Sequence, residues 1–339
     1  MNRKDFLSTV LPLAAVTTAF IQPAKESKKP VLEKTPAYLK NGDTIGICCP
    51  SGFITASECQ SAITKMQDWG FKIKIGNTIG AQDHTLAGTD QERKNDFQRM
   101  IDDPEVKAIM LGRGGYGAVR IIDGIDFSKF IKNPKWIIGF SDATVFHLHI
   151  NRNFGIPTIH SKMCNSFPDD FSKADQIQIA TIESIRQCLT GKKMKYSAIP
   201  NIKNRQGTAK GTIIGGNLSL IDNLCGSVSD VVTSGKILFI EDVGEYLYKL
   251  DGMLWNLKRS GKLKNLKGLI IGNFRIKPDN PGEEFGKTLE QLVLEKVKEY
   301  NYPVCFDFPV GHVKENYALK CGIMHELSVG MEEVILAEV

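Results

Sequence analysis

The chain has 339 residues, 42% of them hydrophobic, which is enough for a large core and more naturally two domains than one. Charged residues make up an ordinary 24%, and the formal net charge is only +5. The basic residues are scattered with no arginine–aromatic stripe, which argues against nucleic-acid binding, while a slightly basic surface still suits anionic substrates or an anionic wall polymer.

The first 36 residues read as a signal segment and spacer. Asn2-Arg3-Lys4 is a basic start, and the stretch from Phe6 to Phe20 is largely apolar, with Leu7, Val10, Leu11, Leu13 and Val16. Its length fits a signal-peptide core better than a membrane span, which needs about 20 apolar residues, so no stable span is expected. Arg3-Lys4-Asp5-Phe6-Leu7 loosely resembles a twin-arginine export signal with Lys in place of the second Arg. The expected location is outside the inner membrane, in the periplasm, if this segment is a signal, and the cytoplasm otherwise. Gln22 to Pro36, rich in Lys, Pro and Glu, reads as a disordered spacer.

From Gly42 to Pro50 the chain predicts a mostly apolar strand ending in a Pro-Ser-Gly turn. A helix over Ala56–Trp69, a strand over Phe71–Ile75, a helix over Gln91–Ile101 and a strand over Val106–Leu111 follow. The apolar run at Lys135–Ile138 leads into Gly139-Phe140-Ser141-Asp142-Ala143, and a helix from Ala143 to Ile150 leads out. Strands that are apolar on both faces and alternate with helices imply an α/β fold with a parallel sheet covered by helices. Lys173–Leu189 predicts one helix, and the basic stretch Gly191–Gln206 a loop-like linker. A second unit then begins, with strands at Gly211–Ile214, Lys236–Ile240 and Leu266–Ile271, helices at Tyr246–Leu257 and Thr288–Tyr300, and short strands between Pro303 and Glu338. The expected division is residues 37–170, an N-terminal α/β domain; 171–206, a linker helix and loop; and 207–339, a C-terminal domain. Cys48 and Cys49 are adjacent on a strand and point to opposite faces, so they do not pair with each other. The other six cysteines are isolated, with no C-x-x-C or Cys/His cluster that suggests zinc.

Gly139 to Ala143 has the layout of a nucleophile elbow: a buried strand, a serine flanked by small residues two places away on each side, then a helix. The helix N-terminus supplies free backbone N–H groups at the same point, where an oxyanion could be stabilised. The run Gly112-Arg113-Gly114-Gly115-Tyr116-Gly117 contains G-x-G-x-x-G, but no carboxylate is placed for a ribose at the end of the next strand, so a dinucleotide site is not expected. Its glycines instead let backbone N–H groups approach a bound anion closely. Ile237 to Ile240 runs into Glu241, Asp242 and Glu245. An acid at the tip of a buried strand must be paired, and Glu241 is the first candidate, with Asp242 and Glu245 as alternatives. Of six histidines, His147 and His149 lie too few residues beyond Ser141 to reach back to it, whereas His312, in a turn after Pro303–Phe308, is the better base.

These residues fall in motifs that together resemble the bacterial LD-carboxypeptidases, also called muramoyltetrapeptide carboxypeptidases, and their relatives the microcin C immunity peptidases. In order they are GDTIGICCPSG, LGRGGYGAVRI, IIGFSDAT, GGNLSLI, LFIEDVGEYLYKLDGML and PVGHVKENYALKCG. The resemblance implies a flavodoxin-like N-terminal domain, a smaller β-rich C-terminal domain, a site between them, and homodimers. It implies a serine peptidase that removes the terminal D-alanine from murein tetrapeptides, with Ser141 as nucleophile, His312 as general base and Glu241 as orienting acid. The backbone N–H of Asp142 and that of Gly114 or Gly115 would form the oxyanion hole, and no metal or cofactor is required. An immunity-type peptidase acting on an aminoacyl-adenylate analogue, and a non-catalytic module binding wall peptides, are the alternatives.

Overall fold

The computed structural model describes residues 35–339. The basic start, the apolar run and all but the last two residues of the spacer lie outside them. Among the described residues no helix is long and apolar enough to cross a membrane.

The first half alternates strand and helix, as its hydrophobic pattern requires: β1 (Thr44–Cys48), α1 (Ala56–Asp68), β2 (Lys72–Ile75), α2 (Asp90–Asp102), β3 (Val106–Leu111), the short helices α3 (Ala118–Ile121) and α4 (Ser128–Lys132), β4 (Trp136–Gly139), α5 (Thr144–Phe154) and β5 (Thr158–His160). Helices α1 and α2 start at reciprocal capping boxes, Thr55 with Glu58 and Thr89 with Glu92, which satisfy otherwise orphaned backbone donors. The five strands run parallel in the order β2-β1-β3-β4-β5, the flavodoxin-like order, whose ligand sites lie beyond the carboxyl ends of the strands.

The rest of the described chain comprises α6 (Gln176–Leu189), β6 (Lys195–Ala198), β7 (Gly207–Asn217), α7 (Leu218–Asn223), β8 (Ile237–Val243), α8 (Leu247–Arg259), β9 (Gly268–Arg275), α9 (Leu289–Lys296), β10 (Val304–Cys305), β11 (Leu319–Cys321), β12 (Met324–Val329) and β13 (Val334–Glu338). Seven of its strands form a second, mixed sheet in the order β10-β9-β8-β7-β12-β13-β6. Two features differ from the sequence expectation. The stretch read as a loop-like linker contains β6, which buries Tyr196 between exposed Lys195 and Ser197 and pairs with β13. The late strand β11 belongs to the first sheet, where it pairs antiparallel with β5 through Leu319 and His160.

The two sheets meet directly beside the serine loop. Gly216 of β7 lies against the first residue of α5: a Cβ there would come within 2.4 Å of Thr144 Oγ1. The next residue, Asn217, donates its backbone N–H to the same hydroxyl at 3.1 Å. The ring of Phe239 on β8 packs edge-on against His160 at the end of β5, 5.0 Å between centroids.

Candidate active site

Strand β4 is wholly buried and ends at Gly139, after which the chain turns through a 3-10 segment, Ser141–Ala143, into α5. The turn is tight enough that a Cβ on Gly139 would lie 2.9 Å from the Cβ of Ala143, which is why small residues flank the serine. Ser141 itself has φ 60°, a left-handed conformation that costs a non-glycine residue about 1–3 kcal/mol. Opposite it, a Cβ on Gly114 would sit 3.2 Å from Ser141 Oγ, close enough that the hydroxyl would have to shift to admit a side chain. Among the described residues the backbone N–H groups of Asp142, Gly114 and Gly115 find no protein acceptor, and remain available to a negatively charged oxygen.

The loops around the serine are tied together by groups the sequence reading did not single out for that task. The buried Asp142 carboxylate accepts from Ser51 Oγ at 2.5 Å and from the Ala118 N–H at 2.8 Å, joining the turn after β1, the glycine loop and the elbow. Burial pushes its pKa up, and the Ser51 and Ala118 hydrogen bonds work against that. Arg93 of α2 is fully buried and donates to Pro50 O at 2.6 Å, to Gly117 O at 3.0 Å and to Gly88 O at 3.2 Å, besides pairing with Asp90. The Pro-Ser-Gly turn was visible in the sequence; the buried arginine, set in a polar helix, gave no local signal.

From the second sheet, β8 delivers the acids. Successive side chains of a strand point to opposite faces, so the two neighbouring carboxylates serve different partners, and the register against β9 shifts between Ile240 and Asp242. Glu241, fully buried, bonds His312 Nδ1 at 2.6 Å. Gly311, at φ 127°, makes space for it, since a Cβ there would come 3.0 Å from the Cβ of Glu241. Asp242 accepts from the Ser219 N–H at 2.8 Å, from Ser219 Oγ at 2.6 Å and from Asn217 Nδ2 at 3.0 Å, so it fixes the start of α7 and does not face His312. Glu245 makes no side-chain bond to His312 either. Burial raises the Glu241 pKa, and the contact with His312 opposes that.

His312 reaches the first sheet through Phe140, the residue before Ser141; their rings lie 4.8 Å apart. Its loop is pinned by Asn316, whose Oδ1 accepts from the Gly311 N–H at 2.9 Å and contacts His160 Nε2 at 3.2 Å. With an ionised Glu241 accepting from Nδ1–H, the neutral imidazole presents an Nε2 lone pair, the atom a general base uses. Ser141 and His312 share no hydrogen bond in this structure, and catalytic contacts of this kind commonly tighten only around substrate. The other buried histidines are structural. His147 bonds Gly139 O at 2.8 Å and burial pushes it down to about 4, while His160 is likewise held neutral by burial.

A parallel flavodoxin-like sheet with an elbow serine, and a buried Glu–His pair brought up by a second sheet, is the architecture of a serine-type hydrolase. Residues 45–161 match the LD-carboxypeptidase N-terminal domain, and residues 210–327 the LD-carboxypeptidase C-terminal domain. A probable murein peptide carboxypeptidase of Bacillus subtilis (strain 168) is 32% identical over 307 residues, 90% of this chain and 95% of the relative. The crystal structure of a muramoyltetrapeptide carboxypeptidase from Oxalobacter formigenes superposes with a TM-score of 0.77 at 26% identity, over 87% of this chain and 98% of that one. The microcin C7 self-immunity protein MccF of Escherichia coli is 24% identical over 89% of this chain and 95% of its own length. The chain belongs to the LD-carboxypeptidase family and is a serine-type carboxypeptidase, a hydrolase with a peptidoglycan-related role.

Proposed function

We propose that the enzyme releases the terminal D-alanine from murein tetrapeptides by acyl transfer, with Ser141 as nucleophile, His312 as general base and Glu241 as orienting acid. The observation that carries this reading is the 2.6 Å bond from His312 Nδ1 to the buried Glu241, which leaves Nε2 unengaged on a ring that packs 4.8 Å from Phe140, the residue before the strained elbow serine. In the first step Ser141 Oγ bonds to the carbonyl carbon as His312 takes the hydroxyl proton. The carbonyl oxygen becomes an oxyanion held by the N–H groups of Asp142 and of Gly114 or Gly115. The C–N bond then breaks and His312 passes its proton to the departing amine of D-alanine. A water molecule attacks the resulting ester, gives its proton to His312, and the serine leaves with that proton, so the enzyme is regenerated. No step in this sequence calls for a metal or a cofactor.

Incubation of L-Ala-γ-D-Glu-meso-diaminopimelate-D-Ala with the protein should release one alanine by mass spectrometry, and Ser141→Ala should not. An unchanged tetrapeptide with both proteins would refute the reading. An aminoacyl-adenylate analogue in the same assay separates the immunity-type activity. The signal-like start at residues 2–20 supports export and a role in trimming wall peptides outside the cytoplasm. An uncleaved N-terminus on the mature cellular protein would count against export.

A further inference from the structure

The chain leaving β5 runs past the elbow: the Ser161 N–H donates to Gly139 O at 3.0 Å, and Lys162 follows. The Lys162 ammonium spans the two sides of the site. It lies 5.6 Å from the centroid of the Phe140 ring, next to Ser141, and donates at 2.6 Å to the carbonyl of Val313, next to His312. An ammonium has three N–H donors, and among the described residues only that one is used. The carboxylate that bears on it electrostatically is Glu241, already engaged by His312. Arg93 is buried on three carbonyls and Asp90, and Lys314 pairs with Asp175, while Arg113, the exposed residue before Gly114, donates to Phe53 O at 3.3 Å. Lys162 is therefore a half-buried positive charge at the carboxyl end of the first sheet with donors to spare.

In a carboxypeptidase the leaving amino acid carries a free carboxylate, separated from its departing nitrogen by a single carbon. The group that protonates that nitrogen is His312 in the reading above, so the carboxylate must come to rest on the His312 side of the serine. We propose that Lys162 is a specificity-determining residue that binds the terminal carboxylate of the substrate, and so restricts cleavage to the last residue; this rests on the carboxypeptidase reading. Burial pushes the Lys162 pKa down to about 8, so at neutral pH the side chain remains charged while poorly solvated, the condition under which a carboxylate partner gains most. Lys135, which likewise caps carbonyls, precedes β4 at the opposite end of the sheet and cannot meet a ligand at the elbow.

The test measures binding separately from turnover. In a Ser141→Ala background, the tetrapeptide and its C-terminal amide are titrated by calorimetry against protein bearing Lys162, Lys162→Met or Lys162→Arg. With Lys162 the free acid should bind about 10- to 100-fold more tightly than the amide, the range of a charge-assisted hydrogen bond. Lys162→Met should reduce that ratio to about 2 or less by weakening the acid alone, and Lys162→Arg should restore most of it. An acid-to-amide ratio unchanged by Lys162→Met overturns the proposal, as does failure of the free acid to bind protein bearing Lys162. If the ratio behaves as expected but protein with Ser141 releases no alanine, Lys162 stands as a carboxylate receptor and the carboxypeptidase reading falls.

Discussion

Glu241 is placed at a cost to the fold. Burial raises its carboxyl pKa above the ordinary 4.5, so between 4.5 and that raised value the native state holds a proton the unfolded chain has lost. Stability therefore declines as pH rises through that window, and the ionised form of Glu241 weakens the fold. Glu241→Gln removes that charge, and offers an N–H to His312 Nδ1 where an acceptor is needed, which favours the wrong tautomer. We expect kcat to fall by about 10²- to 10⁴-fold while the melting temperature at pH 7 rises. A lower melting temperature at pH 7 would contradict the electrostatic account. Asp242→Ala should do the reverse, losing about 1–3 kcal/mol of stability through the orphaned Ser219 donors and leaving kcat within a few-fold. Residue types alone could not separate Glu241, Asp242 and Glu245, because the choice depends on which face of β8 meets the distant His312 loop, a contact with no local sequence mark.

The elements around the serine work as a set of clamps. A Cβ on Gly114 would press on Ser141 at 3.1–3.2 Å, so Gly114→Ala should lower kcat by about 10²-fold by displacing the hydroxyl and the oxyanion donors, with little change in melting temperature. Comparable losses in KM alone would mean that the loop only binds substrate. Helix α5 grips the elbow through His147 on Gly139 O. Burial lowers that histidine from 6.5 to about 4, so the unfolded chain takes up a proton the native state refuses. Stability from this site is intact above the unfolded value of 6.5 and is lost as pH falls toward about 4, by about 3 kcal/mol in all. In His147→Gln the stability measured by urea unfolding should fall less between those two pH values than in wild type; equal slopes would rule the site out as a source of acid sensitivity. The alternating strands and helices of the first sheet were legible because each is long and apolar enough to declare its period. Strand β6 was not, since its four residues offer one buried aromatic, Tyr196, among basic and loop-forming neighbours.

On the scale of the whole molecule, the two sheets are not independent. Strand β11 completes the first sheet while its flanking turn is bonded to β7 of the second, through Gly322 N–H to Ile213 O at 2.8 Å and Ile213 N–H to Ile323 O at 3.0 Å. Pairing between segments so distant in sequence leaves no local trace, which is why a boundary drawn from composition assigns β11 to the C-terminal unit. Unfolding should be a single transition. Variants retaining only Trp136, in the first sheet, or only Trp255, on α8, should give the same urea midpoint by fluorescence; two separate midpoints would show that the sheets melt independently.

The same strand constrains how the protein comes into being. Synthesis proceeds from the N-terminus, so β5 emerges well before its neighbour β11, and the edge of the first sheet stays open while β6 to β10 are made. An open edge invites pairing with other chains, so this is the period when a nascent molecule most needs a chaperone or a covering partner. His312 also emerges in that late stretch, just ahead of β11. Closure of the sheet and arrival of the imidazole at Glu241 thus fall together, late in the making of the fold.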